Sequence, residues 1–278
     1  MKINRQLVWT IALKDIKGIT SNKQVLIGLI ILPLIFAVLL PTALILLINF
    51  VPLTSSDIET MTNTILSGLP NGEIKDMINA LPSFNHQIIY VVVNYLLGSM
   101  FLLIPVINSM MIALNSFVGE KERGTLESLL FAPITVKELF IGKVLSAFVP
   151  TMVLTIGSFV IFGIITTAIT YPIFDGFIFP NTNWILLVFW LSPIITLFTI
   201  LIEVLVSARS KSFQEAQQIG GLVILPIVVL FGGQATGMLI ISPIILLFVG
   251  LFLLMINVLL LFLISKYNNR NTLFESQV

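Results

Sequence analysis

Cysteine is absent from this 278-residue chain, and histidine occurs once, at His86. Without cysteine there are no disulfides, thiolate metal sites or cysteine nucleophiles, and a single histidine excludes a multi-histidine metal centre. Charge is scarce as well: thirteen acids and fourteen bases make up 10% of the residues. A water-soluble domain of this length must show water a polar exterior, and so few charges do not provide one. H-E-x-x-H, G-x-S-x-G and paired intramembrane aspartates are all missing, which leaves a membrane-embedded protease without its reacting groups. The N-terminal stretch MKINRQLVWTIALKDIKG has no long apolar run and no small-residue cleavage site, so it is not expected to be a cleaved signal peptide.

Apolar side chains fill the space the charges leave. They make up 57% of the chain, and the mean hydropathy is +1.09. About 20 apolar residues cross the roughly 30 Å hydrocarbon core as a helix. Six such stretches are present, at 24–50, 88–118, 138–170, 184–207, 213–236 and 243–265. The fold class is therefore an all-α polytopic membrane protein with six transmembrane helices in a single transmembrane domain. Prolines 33, 41, 105, 150, 193 and 226 fall inside these stretches, where neighbouring helices and side chains can satisfy the freed carbonyls. Ser21-x-x-Gln24, Thr135-x-x-Glu138 and Ser212-x-x-Glu215 read as capping boxes opening spans one, three and five. Ser242-Pro243 reads as an N-cap followed by proline at the first helical position of span six.

The bases are distributed unevenly. Segments 1–23, 119–143, 208–214 and 266–278 hold five, four, two and two of them, and the intervening loops hold only Lys75. Basic residues are retained on the cytoplasmic side, so both termini are expected there in a multi-pass protein of the cell membrane. Residues 1–23 read as an interfacial segment. Over 3–20, Val8, Trp9, Ala12, Leu13, Ile16 and Ile19 share one broad helical face, with Gln6, Thr10, Lys14 and Lys17 opposite. The loop at 52–87 carries two short segments, near 55–66 and 72–80, that suit surface helices capping the spans. Residues 232–241, GGQATGMLII, suit either a tight outer turn or a shallow re-entrant piece.

Polar residues inside the spans are few. Glu203 is the one charge deep in a span, and such a residue is a functional candidate by default. It lies six positions before Arg209, so pairing with a nearby base competes with a role toward cargo or ions. Asn108 and Asn115, seven apart, share a face of span two and suit either a pathway lining or hydrogen bonding between helices. Asn94 and Gln234 are further polar groups in or near spans.

One stretch gathers eight of the 27 charges: GEKERGTLESLLFAPITVKELFIGK, residues 119–143. A polar loop obeying the positive-inside tendency accounts for its bases. It does not account for the four glutamates beside them, or for a short apolar helix where a turn would suffice. The stretch resembles the signature of permease subunits of type-2 ABC transporters. That signature is carried here by Glu120, Glu122, Arg123, Gly124, Thr125, Leu126, Glu127, Leu129, Leu130, Pro133, Glu138, Gly142 and Lys143. The resemblance implies a coupling loop over 119–137, with a coupling helix at about 124–133 that docks onto a separate ATP-binding subunit. Docking would use Glu120, Glu122, Arg123, Gly124, Thr125, Leu126, Glu127, Leu129, Leu130 and Pro133, with charges fixing register and buried leucines supplying affinity.

A P-loop needs G-x-x-x-x-G-K followed by Ser or Thr. The one Gly-Lys pair here, Gly142-Lys143, is followed by Val144. No cofactor is expected in this chain, and ATP and Mg belong to the partner ATPase. The expected partners are two ATP-binding subunits, a second permease subunit, identical or homologous, and membrane lipid, with no nucleic acid. The expected function is that of an exporter permease forming the substrate pathway as a dimer. An ion-driven secondary transporter and a non-transporting membrane subunit are the alternative readings.

Overall fold

The computed structural model describes residues 3–50, 73–122, 134–210, 212–236 and 242–266. Among these residues every regular element is helical. Six helices are long and apolar enough to cross a membrane: Lys23–Phe50, Phe84–Glu120, Val136–Phe174, Thr182–Arg209, Phe213–Ala235 and Pro243–Ser265. They are called the first to sixth spans below. An N-terminal helix, Arg5–Ser21, precedes them, and a short helix, Glu73–Asn79, lies between the first two. The protein is an all-α polytopic membrane protein. The second, third and fourth spans are longer than the apolar stretches 88–118, 138–170 and 184–207, because their first or last turns carry polar residues such as Asn85, His86 and Gln87. The 55–66 segment and residues 237–241, half of 232–241, lie outside the described residues.

Capping chemistry fixes the helix starts. Thr135 and Glu138 form a reciprocal capping box on the third span, with the Glu138 carboxylate 3.0 Å from the Thr135 N–H. Ser212 Oγ accepts from the Glu215 N–H at 3.2 Å, and Ser242 Oγ from that of Ile245 at 3.4 Å. The first span departs from expectation. Its cap is Asn22, whose side chain accepts from the N–H groups of Gln24 and Val25, rather than Ser21. Ser21 instead ends the N-terminal helix, its hydroxyl donating to the Lys17 carbonyl at 2.7 Å. Asparagine is among the strongest N-caps and takes extended backbone readily, so Asn22 wins the boundary.

Two of the intramembrane prolines coincide with local widening of the helix. Pro41 and Pro193 each follow a five-residue π turn, Ile35–Leu39 and Leu187–Leu191. A proline ring clashes with the carbonyl four residues back, which here is at Ala37 or Phe189, inside the wide turn. Opening the turn relieves that clash. Ser192 helps at the second site by donating to the Leu187 carbonyl at 2.8 Å.

The second and fourth spans form the centre of the bundle, with 72% and 56% of their apolar windows buried against 22% or less for the other four. The third span shows how packing in lipid differs from packing in water. It buries Ser146, Thr151, Thr155, Ser158, Thr166 and Thr170 and turns Val153, Val160, Ile161 and Ile164 outward. Lipid is as apolar as leucine, so close approach of small side chains decides which face goes inside. Four of these six hydroxyls return to their own helix, as Thr155 does to the Thr151 carbonyl at 2.8 Å and Thr170 to the Thr166 carbonyl at 2.8 Å, while those of Thr151 and Thr166 have no partner among the described residues.

Away from the N-terminal helix, an aromatic cluster fastens the second, third and fourth spans together. Trp184 is buried with the rings of Phe101, Phe162 and Phe179 at 4.5–5.3 Å between centroids. Its indole N–H donates to the Val93 carbonyl at 3.0 Å. Gly163 leaves room for the Phe179 ring, which would stand 2.8 Å from a Cβ at that position.

Candidate functional site

The N-terminal helix lies across the end of the bundle where the second span finishes and the third begins, and it packs mainly on the third. Its buried face is Val8, Ile11, Ala12, Asp15 and Ile19. Trp9 and Leu13, expected on the same face as Val8 and Ala12, are exposed. The apolar surface of this helix is thus divided, with one part on the protein and the other turned outward, as suits a helix in a lipid interface. Gly142 permits the close approach, because a Cβ there would stand 2.9 Å from Ile11 Cβ and 3.1 Å from the Val8 carbonyl oxygen.

Four charged side chains meet under this helix. The Lys143 ammonium, almost fully buried, donates to the Ser116 carbonyl and to the Glu120 carboxylate, and lies 3.5 Å from Asp15 Oδ2. It also sits 5.3 Å from the centre of the Phe117 ring. Ser116 Oγ donates to Asp15 Oδ2 at 2.7 Å. Lys14 reaches in from the surface, 2.7 Å from Glu120 Oε1 and 3.4 Å from Asp15 Oδ1. Two bases and two acids thus balance, with Lys143, Asp15 and Glu120 at low exposure and Lys14 half exposed, the pairing under which buried charge is tolerated. Burial works to lower the Lys14 pKa, but the Glu120 hydrogen bond and charge, with Asp15, outweigh it and hold the pKa above the ordinary lysine value. A polar cavity of about 240 Å³ adjoins the cluster, lined by Lys14, Asp15, Asn22, Asn115 and Glu120 among others.

Two more acids tie helix ends together. Glu138 Oε1 accepts the Asn4 N–H at 2.8 Å, while its other oxygen closes the Thr135 capping box. Glu122 Oε1 accepts the Phe213 N–H at 2.6 Å, satisfying one of the unpaired donors at the start of the fifth span. The described residues of the 119–143 signature therefore join the N-terminal helix and the ends of the second, third and fifth spans. Arg123, Gly124, Thr125, Leu126, Glu127, Leu129, Leu130 and Pro133 lie outside the described residues, between these two anchored ends.

Inside the bundle the polar candidates stand differently. Glu203 is fully buried, and neither carboxylate oxygen has a hydrogen-bond partner among the described residues. The base expected to pair with it, Arg209, is exposed. A Cβ on Gly220 would stand 2.0 Å from Glu203 Oε1, so any side chain at that point of the fifth span would displace the Glu203 carboxylate. Asn108 is also fully buried with both amide atoms unpartnered. Asn115 donates to the Met111 carbonyl of its own helix at 2.9 Å, so this bond does not bridge helices. A bridging amide is found at Asn257, which donates to the Ile194 carbonyl of the fourth span at 2.9 Å.

Sequence reasoning did not single out Lys14, Asp15, Ser116 or Asn257. For Asp15 a signal was present: it lies four residues from both Ile11 and Ile19, in the middle of the buried stripe. An acid at that position needs a buried base, and Lys143 is that base.

These elements define a multi-pass helical membrane protein whose signature charges clamp an amphipathic helix to one end of the bundle. The sequence model of the family described as ABC-2 family transporter protein matches residues 9–265. The chain belongs to that family and is a permease-type membrane component. No curated protein matches it.

Proposed function

We propose that the chain is the permease subunit of an ATP-driven exporter, paired with a second identical or homologous permease and coupled to two separate ATP-binding subunits. In this reading it sits in the cell membrane with both termini and residues 119–143 on the cytoplasmic side. The observation that carries the reading is the anchoring on either side of residues 123–133. Glu120 and Glu122 hold one end, to the N-terminal helix and the fifth span. Thr135 and Glu138 hold the other, to the third span and Asn4. A displacement of the intervening segment by a partner is thereby passed to four helices together, as coupling requires. Glu120, Glu122 and Glu138 act within the chain, which leaves Leu126, Leu129 and Leu130 to carry the docking contact, with Arg123 and Glu127 at its rim.

The test is co-purification of the ATP-binding subunit. Leu126→Asp places a carboxylate in a desolvated contact, which costs several kcal/mol, so recovery of the ATPase should collapse. Gln277→Asp in the tail is the control, and equal recovery from both variants contradicts the proposal. The orientation is tested separately with single cysteines in this cysteine-free chain. An impermeant reagent added to intact cells should label Asn181→Cys and spare Asn269→Cys. The ion-driven alternative draws on one observation, the buried and unpartnered Glu203. It requires transport driven by an imposed proton gradient without ATPase, lost in Glu203→Gln.

A further inference from the structure

At the opposite end from the N-terminal helix, a cavity of about 160 Å³ lies among the second, fourth, fifth and sixth spans. Most of its lining is apolar, including Trp184, Leu187, Leu191 and Val249. Three buried amides, Asn94, Asn183 and Gln234, interrupt it. Asn94 is 2% exposed and Gln234 3% exposed, and Asn94 Oδ1 and Gln234 Oε1 have no hydrogen-bond partner among the described residues. The orientation of the Asn94 amide is fixed, because its Nδ2 donates to the Tyr90 carbonyl at 3.1 Å and an oxygen facing that carbonyl would be repelled. Its Oδ1 is therefore an acceptor awaiting a donor. The cavity's lining also includes Ile245 and Val249, both more than a third exposed on the sixth span, so it has a side toward lipid.

We propose that this cavity is a binding site for a small amphiphile. The ligand has an apolar body about the size of benzene and one or two O–H or N–H donors, which Asn94 Oδ1 and Gln234 Oε1 accept. Size sets the body: an apolar protein cavity of about 150 Å³ binds benzene. Chemistry sets the donors, since buried acceptors in an apolar lining are costly to leave unpaired and reject a ligand that cannot donate. The site lies within one copy of the chain and depends on neither a second permease nor an ATPase.

The experiment is photolabelling of the full-length chain in lipid nanodiscs, using a diazirine-bearing benzyl alcohol and its toluene counterpart without the hydroxyl, mapped by mass spectrometry. The alcohol should label peptides covering 94–102 and 245–249 saturably, and unlabelled benzyl alcohol should compete. Asn94→Leu and Gln234→Leu should each weaken this saturable labelling roughly threefold to tenfold, the worth of one hydrogen bond. Val249→Trp, at the exposed margin, should block labelling while leaving both amides in place, which keeps the test valid if an amide variant fails to fold. Competition by a diacylglycerol would assign the natural ligand to the hydroxyl end of a bilayer lipid, and competition by the small alcohol alone would assign it to a free amphiphile. Labelling that does not saturate, that matches the toluene probe, or that survives all three substitutions overturns the proposal.

Discussion

The two ends of the polar inventory are treated in opposite ways. At the N-terminal helix, Lys14, Asp15, Glu120, Lys143, Glu138 and Glu122 each have a charged or hydrogen-bonding partner. Deeper in the bundle, Glu203 and Asn108 are buried with no partner for their side-chain polar atoms among the described residues. A satisfied charge network holds one geometry, since losing any member leaves the others uncompensated. An unsatisfied buried group favours any rearrangement that supplies a partner or water. The comparison assigns rigidity to the clamp and latent instability to the interior of the second, fourth and fifth spans, an arrangement suited to a bundle moved from one end.

The largest expected effect breaks the clamp. Lys143→Met leaves Asp15 and Glu120 with only the half-exposed Lys14, and losing one partner of a buried ion pair typically costs about 3–5 kcal/mol. Thermal unfolding in detergent should fall accordingly, with early proteolysis before residue 22. Next comes the interior. Gly220→Ala drives a methyl group into Glu203, and such overpacking costs about 1–3 kcal/mol. Adding Glu203→Ala should recover most of that loss, a coupling that a double-mutant cycle reads directly. Glu203→Gln alone should shift stability by less than about 1 kcal/mol, because no hydrogen bond is removed.

The smallest effect sharpens the contrast within the clamp itself. Lys14 is half exposed, and Lys14→Met should cost less than about 1 kcal/mol in unfolding measurements. Its folded pKa is raised above the ordinary lysine value near 10.5. The stability it contributes is therefore fully present below that value and is lost only as pH rises through the folded pKa. Between pH 6 and about 9 the difference between wild type and Lys14→Met should stay flat. A difference that disappears in that range would show that Lys14 is not held in the network.

Much of the architecture was legible because lipid imposes a simple requirement on helices. Six long apolar stretches mark six spans, and Thr135-x-x-Glu138 marks a helix start by chemistry that operates locally. Ser21 misled because a hydroxyl can also close the end of the preceding helix, and the neighbouring Asn22 is the stronger cap. The clamp was half legible. Glu120, Glu138, Gly142 and Lys143 stood out through the family signature, but their partners in the N-terminal segment lie more than 100 residues away in sequence, and spacing carries no trace of such contacts. Asp15 was hidden for a further reason: a helical wheel assigns acids to the solvent side, and only a buried base reverses that assignment. The inward face of the third span was illegible to hydropathy altogether, because Ser and Thr lie inside and Val and Ile outside.

The N-terminal helix is held against the end of the bundle, and a cross-link between two native side chains tests that contact directly. Lys14 Nζ lies 2.7 Å from Glu120 Oε1, across from the N-terminal helix to the second span. Lys17, exposed on the same helix, is the internal control. After zero-length carbodiimide coupling and digestion of the unmutated protein, mass spectrometry should find Lys14 joined to Glu120, with Lys17 left free of that residue. Absence of the 14/120 product, or equal joining of Lys14 and Lys17 to Glu120, would contradict the clamp.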